Sequence, residues 1–311
     1  MARHGTRWRF LCILGLAVVA ACSGGGGQGG AASPGSSYPV KINGANGSVT
    51  IPHRPSRIVS LTPTGTEDLY AVGAGSQVVA VDSYSKYPPE APKTDLSGYT
   101  PNVEAIAGYR PDLVLVAEDT KNLVSQLTSL QIPVLLEPPP GDLDGAYAQI
   151  AEIARATGHA AQATTVVAGL RTQVQSTVRS VPKPSRPLTV YHELDQTYYS
   201  ATSHTFIGQI YQLLGLQNVA DRAPRSNDYP QLSAEYVIAS DPDLIVLADT
   251  VCCGQSQATV GARPGWSGVR AVRSGAIVLV DDSIASEWGP RIVLFLEAVA
   301  KAVKTLEAST R

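Results

Sequence analysis

The side chains that could do chemistry in this chain are few and scattered. Its histidines beyond residue 50 show no i, i+4 pair of the kind that binds a metal on one helix face: His53, His159, His192 and His204. No G-x-S-x-G nucleophile elbow, H-E-x-x-H motif or Walker-type glycine loop is present. Nothing assembles a nucleophile, a base and a group that orients the base. The sequence therefore predicts no catalytic residues, no metal site and no cofactor, and we expect the protein not to be an enzyme.

Aromatic residues, by contrast, gather in loops that follow predicted strands. Open α/β sheets bind ligands beyond the carboxyl ends of their strands. These loops, together with the segments before two matching helices, supply the candidate ligand-binding residues Tyr84, Tyr87, Tyr99, Tyr198, Tyr199, Tyr229, Asp282, Glu287 and Trp288. Many aromatic side chains with few fixed charges predict a wide cleft for a large, partly flat ligand.

Two segments 131 positions apart repeat one pattern. Asn102-Val103-Glu104 and Ser233-Ala234-Glu235 each place a helix-capping residue two positions before a glutamate. The positive end of a helix favours that carboxylate. Each glutamate is followed, after six residues, by Pro-Asp and an apolar run suited to a buried parallel strand. A helix–strand unit repeated at domain spacing predicts two similar lobes, each with one outward glutamate.

Strand and helix patterns alternate on both sides of a long helical stretch. Residues 57–142 predict an α/β lobe, residues 143–186 a helical segment divided at Gly158, and residues 187–311 a second α/β lobe. One apolar face runs along the second helix of the helical segment at three-to-four spacing. The expected fold class is therefore α/β: two similar α/β lobes with mostly parallel sheets, joined by a single long interlobe helix, with the ligand cleft between the lobes.

The N-terminal 37 residues are typical of an export and anchoring signal. A basic start precedes an apolar run too short for an ordinary transmembrane helix, and the run ends in Val19-Ala20-Ala21-Cys22. That ending resembles the bacterial lipobox, whose cysteine is diacylated and becomes the new N-terminus; an ordinary secretory signal with a chance cysteine is the alternative. We predict a signal peptide over 1–21, lipidation at Cys22, and a flexible Gly/Ser-rich tether over 22–37 on the extracytoplasmic face of the cell membrane.

Charge and cysteine content narrow the remaining choices. The chain of 311 residues has a formal charge of −2, and loss of the three arginines in 1–21 leaves 21 basic against 26 acidic residues, a mature charge of −5. This balance predicts no nucleic-acid partner. Cys252 and Cys253 are adjacent, so oxidation outside the cell would give a vicinal disulfide, with a reduced pair as the alternative. We expect a monomer.

From Arg57 to about Val303 the chain resembles the substrate-binding proteins of ABC importers for vitamin B12 and ferric siderophores. The resemblance is carried by Asn102-Val103-Glu104, by Gly289-Pro290-Arg291-Ile292, and by residues 83–91, which are especially similar to vitamin B12-binding members. It implies two α/β lobes joined by one long helix, and a permease dimer with its ATPase subunits as the partner. It also implies that Glu104 and Glu235 pair with arginines on the two permease subunits; the alternative is that both only favour a helix start.

The same resemblance ranks the ligands. Tyr99 and Tyr229 correspond to aromatic positions that pack on the corrin, where tryptophan can also occur, and Tyr84 corresponds to another cleft position. Glu287 falls near a position where an arginine contacts ligand in some relatives. Siderophore binders usually need basic residues, and few lie in the cleft loops. Cobalamin or another corrinoid is therefore the expected ligand, with a ferric siderophore or haem as the alternative, and an enzyme or a scaffold lipoprotein on this fold as less favoured functions.

Overall fold

A computed structural model describes residues 37–184, 186–224 and 227–309. The predicted signal peptide, Cys22 and the tether up to residue 36 lie outside the described residues. Across the three described ranges, no helix combines the length and the apolar character that a membrane crossing requires.

An N-terminal β-hairpin precedes the first predicted strand. Strands β1 (Val40–Gly44) and β2 (Gly47–Ile51) pair antiparallel, and Gly47 has the positive φ of +95° that favours glycine in the turn. The Asn46 side chain donates to the Val134 carbonyl at 2.9 Å and accepts from the Leu136 N–H at 3.2 Å. The hairpin is therefore fastened to the edge of the first lobe, ahead of the predicted lobe start at residue 57.

The first lobe contains a four-stranded parallel sheet with the order β4-β3-β5-β6. The strands are β3 (Ile58–Ser60), β4 (Val78–Val81), β5 (Leu113–Val116) and β6 (Val134–Leu136). The helices between them are α1 (Pro63–Ala71), α2 (Val103–Gly108) and α3 (Leu123–Ser129). Strands β3 and β5 are buried along their whole length, as expected for the central strands of a parallel sheet covered on both faces.

Two long helices lie between the two sheets in the sequence, where a single long interlobe helix was predicted within the helical segment. Helix α4 (Leu143–Thr157) ends at Gly158, whose φ of +80° gives the left-handed cap predicted from its position. Helix α5 (Ala160–Ser180) follows with 21 residues and packs against α4 on one side and the C-terminal helix on the other. It buries Ala163, Leu170 and Val174, which belong to the apolar face seen in the sequence.

The second lobe repeats the strand order of the first. Its sheet runs β10-β9-β7-β8, so the first strand of each lobe pairs with the second strand on one side and the third on the other. The strands are β7 (Leu188–Glu193), β8 (Leu216–Asn218), β9 (Leu244–Leu247) and β10 (Ile277–Leu279). The helices are α6 (Phe206–Leu213), α7 (Ala234–Ser240), α8 (Gln257–Gly261), α9 (Arg270–Ser274), α10 (Asp282–Ser286) and α11 (Ile292–Ser309). The prediction of two similar α/β lobes with parallel sheets is confirmed.

The Pro-Asp pair of each repeat ties the third strand to the first. The backbone N–H of Asp112 donates to the Arg57 carbonyl, and that of Asp243 to the Thr189 carbonyl, both at 3.0 Å. Each aspartate side chain accepts in return: Asp112 from the Arg57 N–H and Asp243 from the Thr189 N–H, both at 2.9 Å. The repeated aspartates therefore join the amino ends of the first and third strands of each sheet. The candidate ligand-binding residues follow the opposite, carboxyl ends.

Candidate functional site

Two exposed tyrosines form an aromatic pair on the first lobe. The rings of Tyr84 and Tyr99 meet edge to face, with centroids 5.3 Å apart and planes at 87°. Their side chains are 55% and 63% exposed, far more than a packing role would leave. Partial burial, followed by the negative charges of Glu118 and Asp82, raises the pKa of the Tyr99 phenol. Tyr99 therefore stays neutral and offers a large apolar face to a ligand.

A buried network of hydroxyl groups positions the loop that carries Tyr84 and Tyr87. Asp82, at the end of β4, accepts from the Ser85 N–H at 3.0 Å and from its hydroxyl at 2.6 Å. The Ser85 hydroxyl also lies 2.9 Å from the hydroxyl of Thr66 on α1. Because these polar groups are buried and bonded to one another, they hold one loop conformation.

Tyr87 contacts a residue of the second lobe. The guanidinium carbon of Arg291 lies 4.1 Å from the centroid of the Tyr87 ring, a cation–π arrangement. Arg291 Nε donates to Glu67 Oε1 at 2.7 Å, and Arg291 Nη2 lies 3.5 Å from Glu287. Burial, with a contribution from Glu67, raises the pKa of Glu287 to about 9. The structure thus brings the candidates Tyr87 and Glu287 together around one arginine.

Trp288 lies beneath the exposed cleft surface. Its side chain belongs to the buried core, and its indole N–H donates to Gln149 Oε1 at 2.6 Å. Its ring packs at a tilt on Phe206, with centroids 5.7 Å apart. It also lines a small cavity beside Asp68 and Glu137. The structure thus places the candidate Trp288 in the buried core, where it contacts α4 and α6.

The second-lobe tyrosines occupy different environments. Tyr198 stacks on Trp266, with centroids 5.9 Å apart and planes at 22°, and Arg263 lies 5.4 Å above it. Tyr199 is 41% exposed. Tyr229 is half-buried against the core, and this burial raises the pKa of its phenol. Within the described ranges, no ring contact joins these tyrosines to Tyr84 or Tyr99.

Asp282 holds the cysteine loop in place. Its carboxylate accepts from the Val251 N–H at 2.9 Å and from the Cys252 N–H at 2.5 Å. Cys252 and Cys253 are joined by a disulfide in this exposed loop. Asp282 is therefore engaged by backbone donors and shapes the loop after β9.

Sequence reasoning missed a buried acidic network below that loop. Asp249, directly after β9, is fully buried; burial and the neighbouring Glu193 raise the pKa of Asp249 to about 7. Glu193, the last residue of β7, accepts two bonds of 2.6 Å from Arg263. The sequence does carry a signal for this network. Acidic residues follow or end two strands, and the carboxyl ends of parallel strands lie side by side, which predicts that these carboxyl groups are neighbours.

The two repeated glutamates occupy equivalent places in the two lobes. Glu104 lies in the first turn of α2, and Glu235 in the first turn of α7, and both are exposed. The Asn102 side chain accepts from the Ala105 N–H at 3.0 Å, and the Ser233 hydroxyl from the Tyr236 N–H at 3.2 Å. Each glutamate lies in a capped turn, and among the described residues neither forms a salt bridge with a Lys, Arg or His side chain.

The described residues offer no cluster of three or more His, Cys, Asp or Glu side chains with the geometry of a metal site. His192 is fully buried, and its Nδ1 lies 2.5 Å from the Tyr211 hydroxyl. Burial lowers the pKa of His192 to about 3, so the ring is neutral and part of the core.

The geometry of two lobes with aromatic residues at their strand ends agrees with comparisons to known proteins. Residues 58–284 match the family of periplasmic binding proteins. The chain belongs to this family. It is 32% identical over 96% of its length to a cobalamin-binding protein of Halobacterium salinarum, of which it covers 85%.

Two further relatives extend the comparison. The chain is 29% identical to an uncharacterized ABC transporter substrate-binding lipoprotein, YvrC of Bacillus subtilis, over 86% of either chain. It also superposes, with a TM-score of 0.69 and 26% identity, on the structure of a possible iron-binding periplasmic solute-binding protein of Staphylococcus epidermidis. That superposition covers 81% of this chain and 99% of the other.

Family membership fixes the general activity. The chain is a periplasmic substrate-binding protein of the ABC importer type, a class that acts outside the cytoplasm. Binding proteins of this kind bind small chelates, work with permease and ATPase subunits, and are not enzymes. The predicted family resemblance and the prediction of a non-enzymatic role are confirmed.

Proposed function

We propose that this chain is a membrane-tethered lipoprotein that delivers cobalamin or another corrinoid to an ABC importer. The observation that carries the proposal is the exposed Tyr84–Tyr99 pair, seated at the strand ends of a chain 32% identical to a cobalamin-binding protein. A corrin ring is wide and flat, and aromatic faces bind such a surface through burial of apolar area.

The charges around the cleft favour a corrinoid over an anionic ferric chelate. Arg263 is paired with Glu193, and Arg291 with Glu67, so neither arginine offers an unpaired positive charge. To pair with either of these arginines, an anionic siderophore would have to leave a buried carboxylate alone, at a cost of roughly 3–5 kcal/mol.

The iron-binding relative from Staphylococcus epidermidis supports the second candidate, a ferric siderophore or haem. Tyrosine binds haem iron as a phenolate. The pKa values of Tyr99 and Tyr229 are both raised by burial, which disfavours the phenolate form at neutral pH. The tyrosines are better suited to stacking than to ligation, and the corrinoid remains the first choice.

Glu104 and Glu235 are the proposed docking residues for the permease dimer. They lie in equivalent exposed turns of two similar lobes, as two related permease subunits require. Complementary charge across such a surface sets the register of docking and the association rate.

The ligand assignment is tested by titrating the full-length protein, purified in detergent, with cyanocobalamin, haemin and a ferric siderophore while recording absorption spectra. We expect saturable binding of cyanocobalamin at the lowest concentration of the three. Preferential binding of haemin or of the siderophore would replace the corrinoid by the second candidate.

The proposed lipid anchor at Cys22 gives a prediction of its own. Cys22→Ala should release the protein from membranes, because acyl chains on this cysteine would be its anchor. The measurement is fractionation of cells that produce either form, followed by a salt wash; Cys12→Ala is the matched control and should stay membrane-bound. Membrane retention of the Cys22→Ala protein after the wash would contradict the anchor.

A further inference from the structure

Residues 287–291 of the second lobe lie against the first lobe and α4. Trp288 donates to Gln149 of α4, and Arg291 donates to Glu67 of α1. Gly289 makes the approach possible, because a Cβ atom there would lie only 3.1 Å from Glu67 Oε2 and 3.3 Å from its Cβ. We call Glu67, Glu287 and Arg291 together the interlobe clasp.

The clasp is a buried and balanced set of charges. The side chains of Glu67, Glu287 and Arg291 are 2%, 15% and 17% exposed. Glu67 Oε2 is buried and receives no donor from the described residues. Burial and the neighbouring Glu67 raise the pKa of Glu287 to about 9, which favours the neutral form of Glu287. One arginine, one carboxylate and one neutral acid leave no net charge in the interior.

Arg291 has a second contact, which faces the cleft. Its guanidinium group covers the Tyr87 ring at 4.1 Å, while the Tyr87 side chain remains 44% exposed. The Ser283 hydroxyl, 3.1 Å from Nη2, holds the same guanidinium from the second lobe. A single side chain thus connects the first lobe, the second lobe and an aromatic residue that a ligand can reach.

We propose that Arg291 is a positioning residue of the cleft: through Glu67 it fixes the spacing of the two lobes, and through its flat face it orients Tyr87 for the ligand. Its effect on Tyr87 rests on the function proposed above, whereas its effect on lobe spacing does not. Neither permease docking nor aromatic contact with the ligand explains the Gly289-Pro290-Arg291 motif. The clasp gives this motif a role, because Gly289 permits the close approach to Glu67 and Arg291 forms the ion pair.

The first experiment measures ligand affinity by titration of the full-length protein with cyanocobalamin. Arg291→Gln should weaken binding about tenfold, since a cation–π contact and an interlobe ion pair are both lost. Glu67→Gln should act in the same direction. Glu297→Gln, at an exposed position of α11, is the control and should leave affinity unchanged.

A double substitution separates positioning from general stability. In a Tyr87→Ala background, Arg291→Gln should lose most of its effect on affinity, because the ring that it orients is gone. An undiminished effect in that background would overturn the role in orienting Tyr87. If Arg291→Gln does not fold, Arg291→Lys carries the test, since it keeps the charge but not the planar fork.

The second experiment needs no ligand. Spin labels at Glu104→Cys and Glu235→Cys, in a Cys252→Ser, Cys253→Ser background, report the distance between the lobes. Arg291→Gln and Glu67→Gln should broaden the distance distribution, and the control Glu297→Gln should leave it as narrow as in the parent. Unchanged distributions in the first two variants would overturn the clasp.

The two experiments fail independently. If the parent protein does not bind cyanocobalamin, the proposed ligand is wrong, and the spin-label distances alone then decide whether Arg291 fixes the lobe spacing.

Discussion

Arg263 and Arg291, which lie over the rings of Tyr198 and Tyr87, are each held by a buried glutamate. Arg263 meets Glu193 through two bonds of 2.6 Å, and Arg291 meets Glu67. Such bidentate or multiply bonded pairs are geometrically specific, and removing one partner leaves a buried charge. The charges of these two arginines are therefore already paired, and we expect ligand affinity to depend mainly on the tyrosines.

Tyrosine substitutions test this dependence at the residue scale. Tyr99→Ala or Tyr229→Ala should weaken cyanocobalamin binding by about 1–3 kcal/mol, the usual cost of losing a buried aromatic contact. Tyr→Phe at either position should cost less, because stacking and not the hydroxyl provides the contact. Both effects are measured by titration of the purified protein.

Leu130→Ala is the matched control for these substitutions. Leu130 is 52% exposed and lies between α3 and β6, at the amino end of the strand and away from the cleft. Its substitution should not change affinity. Unaltered affinity in both tyrosine-to-alanine variants would mean that other residues line the cleft, or that the ligand is not a corrinoid.

At the scale of elements, the repeat extends to details of the backbone. Each docking helix ends in a left-handed residue before proline: Arg110, with φ of +50°, and Asp241, with φ of +41°. Both positions are unfavourable for residues other than glycine, so the surrounding bonds must hold them. Asp241 gains such support from the Arg270 N–H at 2.7 Å. These joints fix the angle between each docking helix and the strand that follows it.

The sequence alone predicted the elements that local patterns determine. The capped helices, the glycine between α4 and α5, and the apolar strands all depend on residues within a few positions of one another. The N-terminal hairpin has a local signal too. Its Asn-Gly pairs, which end at Gly44 and Gly47, are typical of the turn between two antiparallel strands. Local pattern thus determines most of the fold class.

The candidate site was less predictable, because it depends on distant pairs. Glu67 and Arg291 lie 224 positions apart, and Gln149 and Trp288 lie 139 apart. A tryptophan after a strand is equally compatible with an exposed cleft residue and a buried support. The partner Gln149 decides between these roles for Trp288, and no sequence spacing identifies that partner.

At the scale of elements, Asp243 gives a prediction about the pH dependence of stability. Burial alone would raise the pKa of Asp243. Hydrogen bonds from Arg186, Thr189 and Arg270 outweigh that effect and lower the pKa to about 2. A carboxyl whose pKa is lower in the folded state than in the unfolded state stabilises the fold above pH of about 4 and loses that contribution as the pH falls towards 2. Asp243→Asn should lower the free energy of unfolding by about 2 kcal/mol at pH 7 and flatten this acid dependence.

Denaturant unfolding between pH 7 and pH 2 measures both effects. Asp112→Asn is the matched control from the first lobe, where the aspartate accepts from Ser56 and Arg57 backbone groups and the Ser56 hydroxyl. Asp112→Asn should lower the free energy of unfolding by less than Asp243→Asn does. An acid dependence as steep in Asp243→Asn as in the parent would show that other carboxyl groups produce it.

At the scale of the whole molecule, two lobes of one topology each present one exposed, capped turn with a glutamate, the two turns proposed above for docking. The linking helices and the clasp residues limit how these turns move relative to each other. A fixed spacing matters because the second charge pair forms more readily once the first pair holds the two surfaces in register. Binding of ligand and docking to the permease therefore make separable demands on the molecule.

Glutamate substitutions test this separation. Glu104→Ala and Glu235→Ala should each leave cyanocobalamin affinity unchanged and lower its uptake into cells several-fold, and the double variant should lower uptake by roughly tenfold or more. Glu297→Ala, on the exposed side of α11, is the matched control and should not affect uptake. Uptake assays with labelled cyanocobalamin, paired with titration of each purified variant, measure the two properties. Loss of affinity in the glutamate variants would contradict a docking role and assign these carboxylates to the ligand site instead.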